Sequence, residues 1–150
     1  MDAKQECEKL MNEMLPLAEK MLTQFGEFYP YGGYMKCNGE IVHVGAKEPG
    51  TDRPKSKELI ALLKGSFRNL AASNECKATA IVYDVIVPLP DQNRKTDAIQ
   101  IYLDHANNYS AEVFLPYELI DGRVVYGEMF AQEGKYELFG KEEVASGNKS

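Results

Sequence analysis

The chain lacks the residue patterns on which metal and covalent chemistry depend. It has two histidines, His43 and His105, and three cysteines, Cys7, Cys37 and Cys76. No Cys-x-x-Cys pair, His-x-x-x-His pair or acidic calcium loop occurs, so no ligand set for a metal stands out and no cofactor is implied. The cysteines are odd in number and far apart, and they read as reduced thiols. Gly-x-Ser-x-Gly is missing, and no glycine-rich phosphate loop leads into a helix. No run of about 18 apolar residues suggests a membrane span. The start Met-Asp-Ala-Lys-Gln-Glu has no basic segment followed by an apolar one, so the expectation is a cytoplasmic protein.

Positive charge is also scarce. The formal net charge of −6 argues against nucleic acid as a partner, because phosphate binding needs clustered Lys and Arg, and it suits a basic protein partner better. With 44% apolar and 27% charged residues, the 150-residue chain has the composition of one globular domain and is too apolar for disorder. No repeat or composition break divides it. The expected domain covers residues 1–141, followed by a flexible tail over 142–150.

Periodicity supplies the elements. Cys7, Leu10, Met11, Met14, Leu15, Ala18, Met21, Leu22 and Phe25 keep a three-and-four spacing that predicts one helix. Pro16 falls inside it and is expected to kink it, and Gly26 to end it. Residues from 28 onward read as a strand, Asn38-Gly39 as a two-residue hairpin turn, and residues 40–46 as the returning strand. Ser56 or Asp52 would cap a second helix with Leu59, Ile60, Leu63, Phe67, Leu70 and Ala71 on its apolar side and Lys57, Lys64 and Arg68 on its polar side. Residues 78–87 form an apolar, β-branched run suited to a central strand covered on both faces.

Residues 97–105 then alternate, which predicts one solvent-facing side. A three-residue loop at Asn107-Asn108 would set Glu112 opposite Tyr102, and Asp121-Gly122 makes a further hairpin turn. Residues 136–139 read as a short edge strand. The expected fold is therefore α+β in the order α-β-β-α-β-β-β-β, with two helices packed on one face of a mostly antiparallel sheet of about six strands.

Two groups of residues stand out as candidate sites. Tyr29, Tyr31 and Tyr34 crowd beside Gly32-Gly33, and read either as rings closing the core or as anchors of a recognition surface with Glu27 and Glu40 supplying charge. Asp84 and Glu128 interrupt apolar strands, and read either as edge carboxylates or, if both face one cleft, as an acid/base pair or a grip for a basic partner. With a plain Asp121-Gly122 turn Glu128 would face the core opposite Leu115, whereas a bulge would turn it outward. His43 and His105 read as strand and turn histidines, with Cys37 near His43 the remaining nucleophile candidate.

The segments FGEFYPYGGYMKCNGEIVHVGA, YDVIVPLP, KTDAIQIYLDHANNYS and VFLPYEL resemble a group of small bacterial proteins of uncharacterised type, over most of the chain. In size and acidity the chain is also similar to immunity proteins of bacterial toxin systems. The resulting expectation is a non-catalytic protein-binding domain, immunity- or antitoxin-like in its most concrete form. A homodimeric scaffold of the profilin-like or roadblock-like kind is the first alternative, on element order alone. A small enzyme using Asp84, Glu128 or His105 is the second.

Overall fold

The computed structural model describes residues 1–45, 56–89 and 93–140. Helix α1, Ala3–Phe25, opens on a capping box in which the Asp2 carboxylate accepts the Gln5 N–H at 2.8 Å and the Gln5 side chain accepts the Asp2 N–H at 2.9 Å. It ends on Gly26, whose left-handed backbone (φ 74°) lets its N–H reach the Leu22 carbonyl. The helix runs through Pro16, and the Tyr31 hydroxyl donates to the Met14 carbonyl beside it at 2.6 Å. A phenol from the sheet is thus bonded to the helix backbone in the turn where proline removes a donor.

Among the described residues seven strands form one sheet: β1 Tyr31–Met35, β2 Ile41–Val44, β3 Ala78–Pro88, β4 Lys95–His105, β5 Tyr109–Ile120, β6 Arg123–Tyr126 and β7 Phe130–Glu133. The order is β2-β1-β3-β4-β5-β6, all antiparallel, with β7 pairing the other half of β5. Helix α2, Ser56–Ala72, connects β2 to β3. The α+β class and the helix and strand order are as expected, with a seventh strand added. Asp52 and the tail from residue 142 lie outside the described residues.

The helices do not share a face. On one side α1 buries Leu10, Met14, Ala18 and Leu22 against Tyr31, Ala80, Val82, Ile99, Ile101 and Val113. On the other, Leu63 and Phe67 of α2 pack on Ile81 and Tyr102, with Leu138 beside them. Alternation along a strand shows that both sides are apolar, but it does not assign a helix to either side. The same arrangement corrects the solvent-facing side of β4, since Tyr102 is buried against α2 and Leu138, and Asp104 is buried under residues 138–139.

Three local registers decide where side chains point. The β1–β2 turn holds three residues, 37–39, between Lys36 and Glu40, because Met35 pairs with Ile41 and Gly39 takes a positive φ of 95°. The Asp121-Gly122 turn is the two-residue turn expected, with Ile120 opposite Arg123. Beyond it, Tyr126 pairs with Tyr117 but Phe130 pairs with Phe114, so one extra residue is inserted across 127–129 as a β-bulge. Residues 136–139 form a turn and not an edge strand. Tyr136 adopts φ 56°, and the N–H groups of Tyr136, Glu137 and Leu138 donate to Ser110 Oγ, Tyr102 Oη and Asp104 Oδ2.

Gly32 and Gly33 allow both layers to close on β1. A Cβ on Gly32 would press into the Ala80 carbonyl and come within 3.1 Å of the Phe67 ring, while one on Gly33 would meet Met14 Cε at 2.6 Å. Gly65, inside α2, faces open space. Urea unfolding is expected to show Gly32→Ala destabilising by about 2–3 kcal/mol through overpacking. Gly65→Ala is expected to stabilise by about 0.5–1 kcal/mol through helix propensity. The Tyr31→Phe variant is expected to lose about 1–2 kcal/mol, since it leaves the sheet-to-helix hydrogen bond unmade.

Candidate functional site

The tyrosines do not assemble into one surface. Tyr31 is only 3% exposed, stacks edge-on with Phe28 and spends its hydroxyl on Met14, so as a partner anchor it is corrected to a core residue. Tyr34, three positions along β1, points to the opposite side and packs on Phe67 at 6.0 Å between ring centroids. Tyr29 is half-buried before the strand, and Glu27 and Glu40 are exposed. Glu40 faces Lys36 at 3.5 Å. An odd offset between residues 31 and 34 within an extended strand separates the rings.

His105 is held in a polar tie beneath α1. The Asn107 N–H donates to its Nδ1 at 2.9 Å, which leaves Nε2 to carry the proton and donate to Glu6 Oε1 at 2.8 Å. Lys77 Nζ donates to the other Glu6 oxygen at 2.6 Å. Burial pushes the Glu6 carboxyl up, but the hydrogen bonds from Lys77 and His105, with the Lys77 charge, outweigh it and hold it below its ordinary value. Both imidazole nitrogens are therefore engaged, Nε2 in fastening α1 to the end of β4 and Nδ1 in the β4–β5 turn. His43 is exposed on β2, while the Cys37 thiol donates to the Asn74 carbonyl at 3.3 Å.

Asp84 is half-buried and accepts the Tyr117 hydroxyl at 2.6 Å. Burial raises its carboxyl above the ordinary value, the Tyr117 hydrogen bond draws it partly back, and the Asp97 and Glu27 charges push it further up. Asp84 sits opposite Ile99, six positions along β4 from His105 and hence about 20 Å from it, so the two cannot serve one reacting centre. Glu128 sits in the bulge and is exposed. The extra residue turns it outward instead of opposite Leu115.

That bulge forms one wall of a cleft of about 560 Å³. It is lined by Arg94 and Thr96 at the start of β4, Pro116 and Glu118 of β5, and Glu128 and Met129 of the bulge. Phe130 is stacked on Phe114 across the strand pair at 5.0 Å, which fixes the wall. Tyr117 also lines the cleft, whereas Asp84 lies behind it through the hydroxyl contact and is not itself among the lining residues. The two carboxylates therefore do not face the same space: Glu128 lines the cleft and Asp84 does not.

Around the cleft the β5–β6 hairpin exposes large apolar side chains. Ile120, Val125 and Met129 are 47% to 52% exposed, with Ile120 and Val125 on the side of the sheet away from α1, whereas Leu119, paired with Val124, faces the α1 side, as does the exposed Phe25. Gly26 lies beside Leu119, with 3.9 Å from its Cβ position to the leucine Cδ1, which sets the end of α1 against the other side of the hairpin. Among the described residues nothing pairs with the outer edge of β6. Phe25 was expected on the apolar face of the first helix and is exposed instead, one turn beyond the last buried position at Leu22, while Leu119, Ile120, Val125 and Met129 were not singled out from the sequence. The run ELIDGRVVYGEM could have flagged them, since its apolar residues flank a hairpin turn on both sides.

Asp104 was missed as well. It is fully buried, and burial raises its carboxyl, while the Leu138 N–H, the Tyr102 hydroxyl and the Phe139 and His105 amides partly offset that rise. Its partners show that it pins residues 136–139 to the sheet. Lys64 Nζ reinforces this by reaching Glu137 Oε1 at 2.9 Å, and Arg68 Nε donates to the Glu137 carbonyl at 3.2 Å.

Among the described residues no group of three or more His, Cys, Asp or Glu is placed to hold a metal ion, and no helix is long and apolar enough to cross a membrane. Compared with protein-family models, curated proteins and solved structures, the chain matches none of them.

The raised Asp84 carboxyl sets a sign for pH dependence. It binds its proton more tightly folded than unfolded, so its stabilising contribution is full below the unfolded value of 3.8 and is lost as pH rises through the folded value. Asp84→Asn keeps an acceptor for Tyr117 and carries no charge. By urea unfolding this variant is expected to gain stability relative to the parent chain as pH rises from about 3 to 7, with the two curves converging at the acidic end.

Proposed function

We propose that this chain is a non-catalytic protein-binding domain, immunity- or antitoxin-like in its most concrete form, and that its partner docks on the β5–β6 hairpin and the bulged edge. The observation that carries this reading is the group of exposed apolar residues Ile120, Val125 and Met129 beside a strand edge that has no partner among the described residues. Apolar side chains gathered on an unpaired edge suit a protein that adds a strand or packs an apolar segment there.

The expected partner is basic with an apolar contact segment. The carboxylates of Glu118 and Glu128 line the cleft, with Arg94 the basic group among its lining residues, and the whole chain carries −6. Complementary charge would speed encounter and select the partner, while the apolar centre would supply most of the affinity. The β1–β2 hairpin becomes secondary, because Tyr31 is in the core and Tyr34 leans on Phe67.

The test is quantitative capture from the native host's lysate, comparing the parent chain with Val125→Lys, Met129→Lys and Tyr29→Ala, each checked for folding by circular dichroism. The two lysine variants are expected to reduce recovery of the partner by about tenfold or more, as a charge placed in an apolar interface centre does. Tyr29→Ala is expected to stay within about twofold, as for a contact outside that centre. Loss of binding with Tyr29→Ala but not with the lysine variants would move the interface to the first hairpin. A dimeric mass abolished by the same lysine substitutions would favour the homodimeric scaffold.

A further inference from the structure

Two of the three cysteines, distant in sequence, lie together at one end of the sheet. The Lys77 N–H donates to the Met35 carbonyl at 2.8 Å, so the chain entering β3 runs beside the chain leaving β1. Cys37, the first residue of the β1–β2 turn, places its sulfur 3.3 Å from the Asn74 carbonyl, two residues before Cys76. The pair is asymmetric. Cys37 is exposed and Cys76 is buried.

Burial pushes the Cys76 thiol up to about 11, and the next contribution comes from Cys37, ahead of the adjacent Glu75. A thiol with that environment is protonated at neutral pH and shielded from direct oxidation. Cys7 is separate, fully buried on the inner side of α1.

We propose that Cys37 and Cys76 form an oxidation site that reacts with hydroperoxides and closes to an intramolecular disulfide. The Cys37 thiolate attacks the terminal peroxide oxygen, forming S–O as O–O breaks, and the leaving oxygen takes up a proton as water or alcohol. Cys76 then attacks the sulfenic sulfur, forming S–S as S–O breaks. Its thiol proton leaves with the departing oxygen as water. Two thiols lose two electrons and the peroxide gains them, so no further reductant or oxidant is needed. The bridge would tie the first hairpin to the start of β3, next to the Lys77 anchor of α1.

The test uses the full folded chain treated with hydrogen peroxide, then alkylated and analysed by intact mass and peptide mapping. A monomer lighter by two hydrogens, with the Cys37 and Cys76 peptides joined, Cys7 alkylatable and the starting mass restored by dithiothreitol, is the expected result. Cys37→Ser is expected to lower the cross-linked yield by at least about tenfold, because it removes the accessible nucleophile. Cys76→Ala is expected to stop at a dimedone-reactive sulfenic acid on Cys37. If the parent chain instead carries Cys37 to the sulfinic acid while Cys76 stays alkylatable, or yields mainly a dimer linked through Cys37, the assignment is overturned.

Discussion

Two adjacent glycines in β1 are the constraint on which this fold rests. Successive strand residues face opposite sides, so Gly32 and Gly33 remove a side chain from each side of the sheet at one level. Met14 of α1 fills the space above Gly33, and the Phe67 ring of α2 fills the space below Gly32. Ala78 and Ala80 on β3 extend the small-residue floor beneath α1. With both layers seated so closely, Tyr31 can span from the sheet to the Met14 carbonyl in the turn weakened by Pro16. The aromatic crowding in this stretch is therefore a packing requirement.

Polar ties hold the layers at the end of the sheet away from the cleft. Glu6, Lys77 and His105 fasten α1, while Asp104, Tyr102 and Ser110 hold residues 136–138 through their backbone N–H groups. Each group buried there has a reason to be polar, and each is largely occupied by the chain itself. At the other end α2 does not extend over the sheet, the β6–β7 edge is bulged, and apolar side chains reach solvent. This division of the molecule into a braced end and an open end supports a binding role for the open one. The carboxylates that interrupt β3 and the β6–β7 segment belong to that end.

The candidate site was legible only in part. Glu128 was recognised as a charge out of place, and its direction depended on whether the strand carried a bulge, which a pattern of period two does not encode. Asp84 was recognised in the same way, but its link to the cleft runs through Tyr117, thirty-three positions along the chain. The tyrosine group misled because density of aromatics in sequence carries no information about sides, and residues 31 and 34 fall on opposite ones. The patch around Val125 and Met129 was passed over because apolar residues near a turn are usually core.

What the sequence by itself determined was the succession of elements. Helical spacing from Cys7 to Leu22, the Gly26 stop, the Asp121-Gly122 turn and the run ATAIV are local signals, set by backbone geometry within a few residues. The seven-stranded order, the separation of the helices onto two faces and the register across the bulge required the tertiary structure. So did the meetings of Tyr117 with Asp84, Glu6 with His105 and Cys37 with the Cys76 segment. Those depend on contacts between residues far apart in the chain, which exist only once the whole sheet has paired and both faces have been covered.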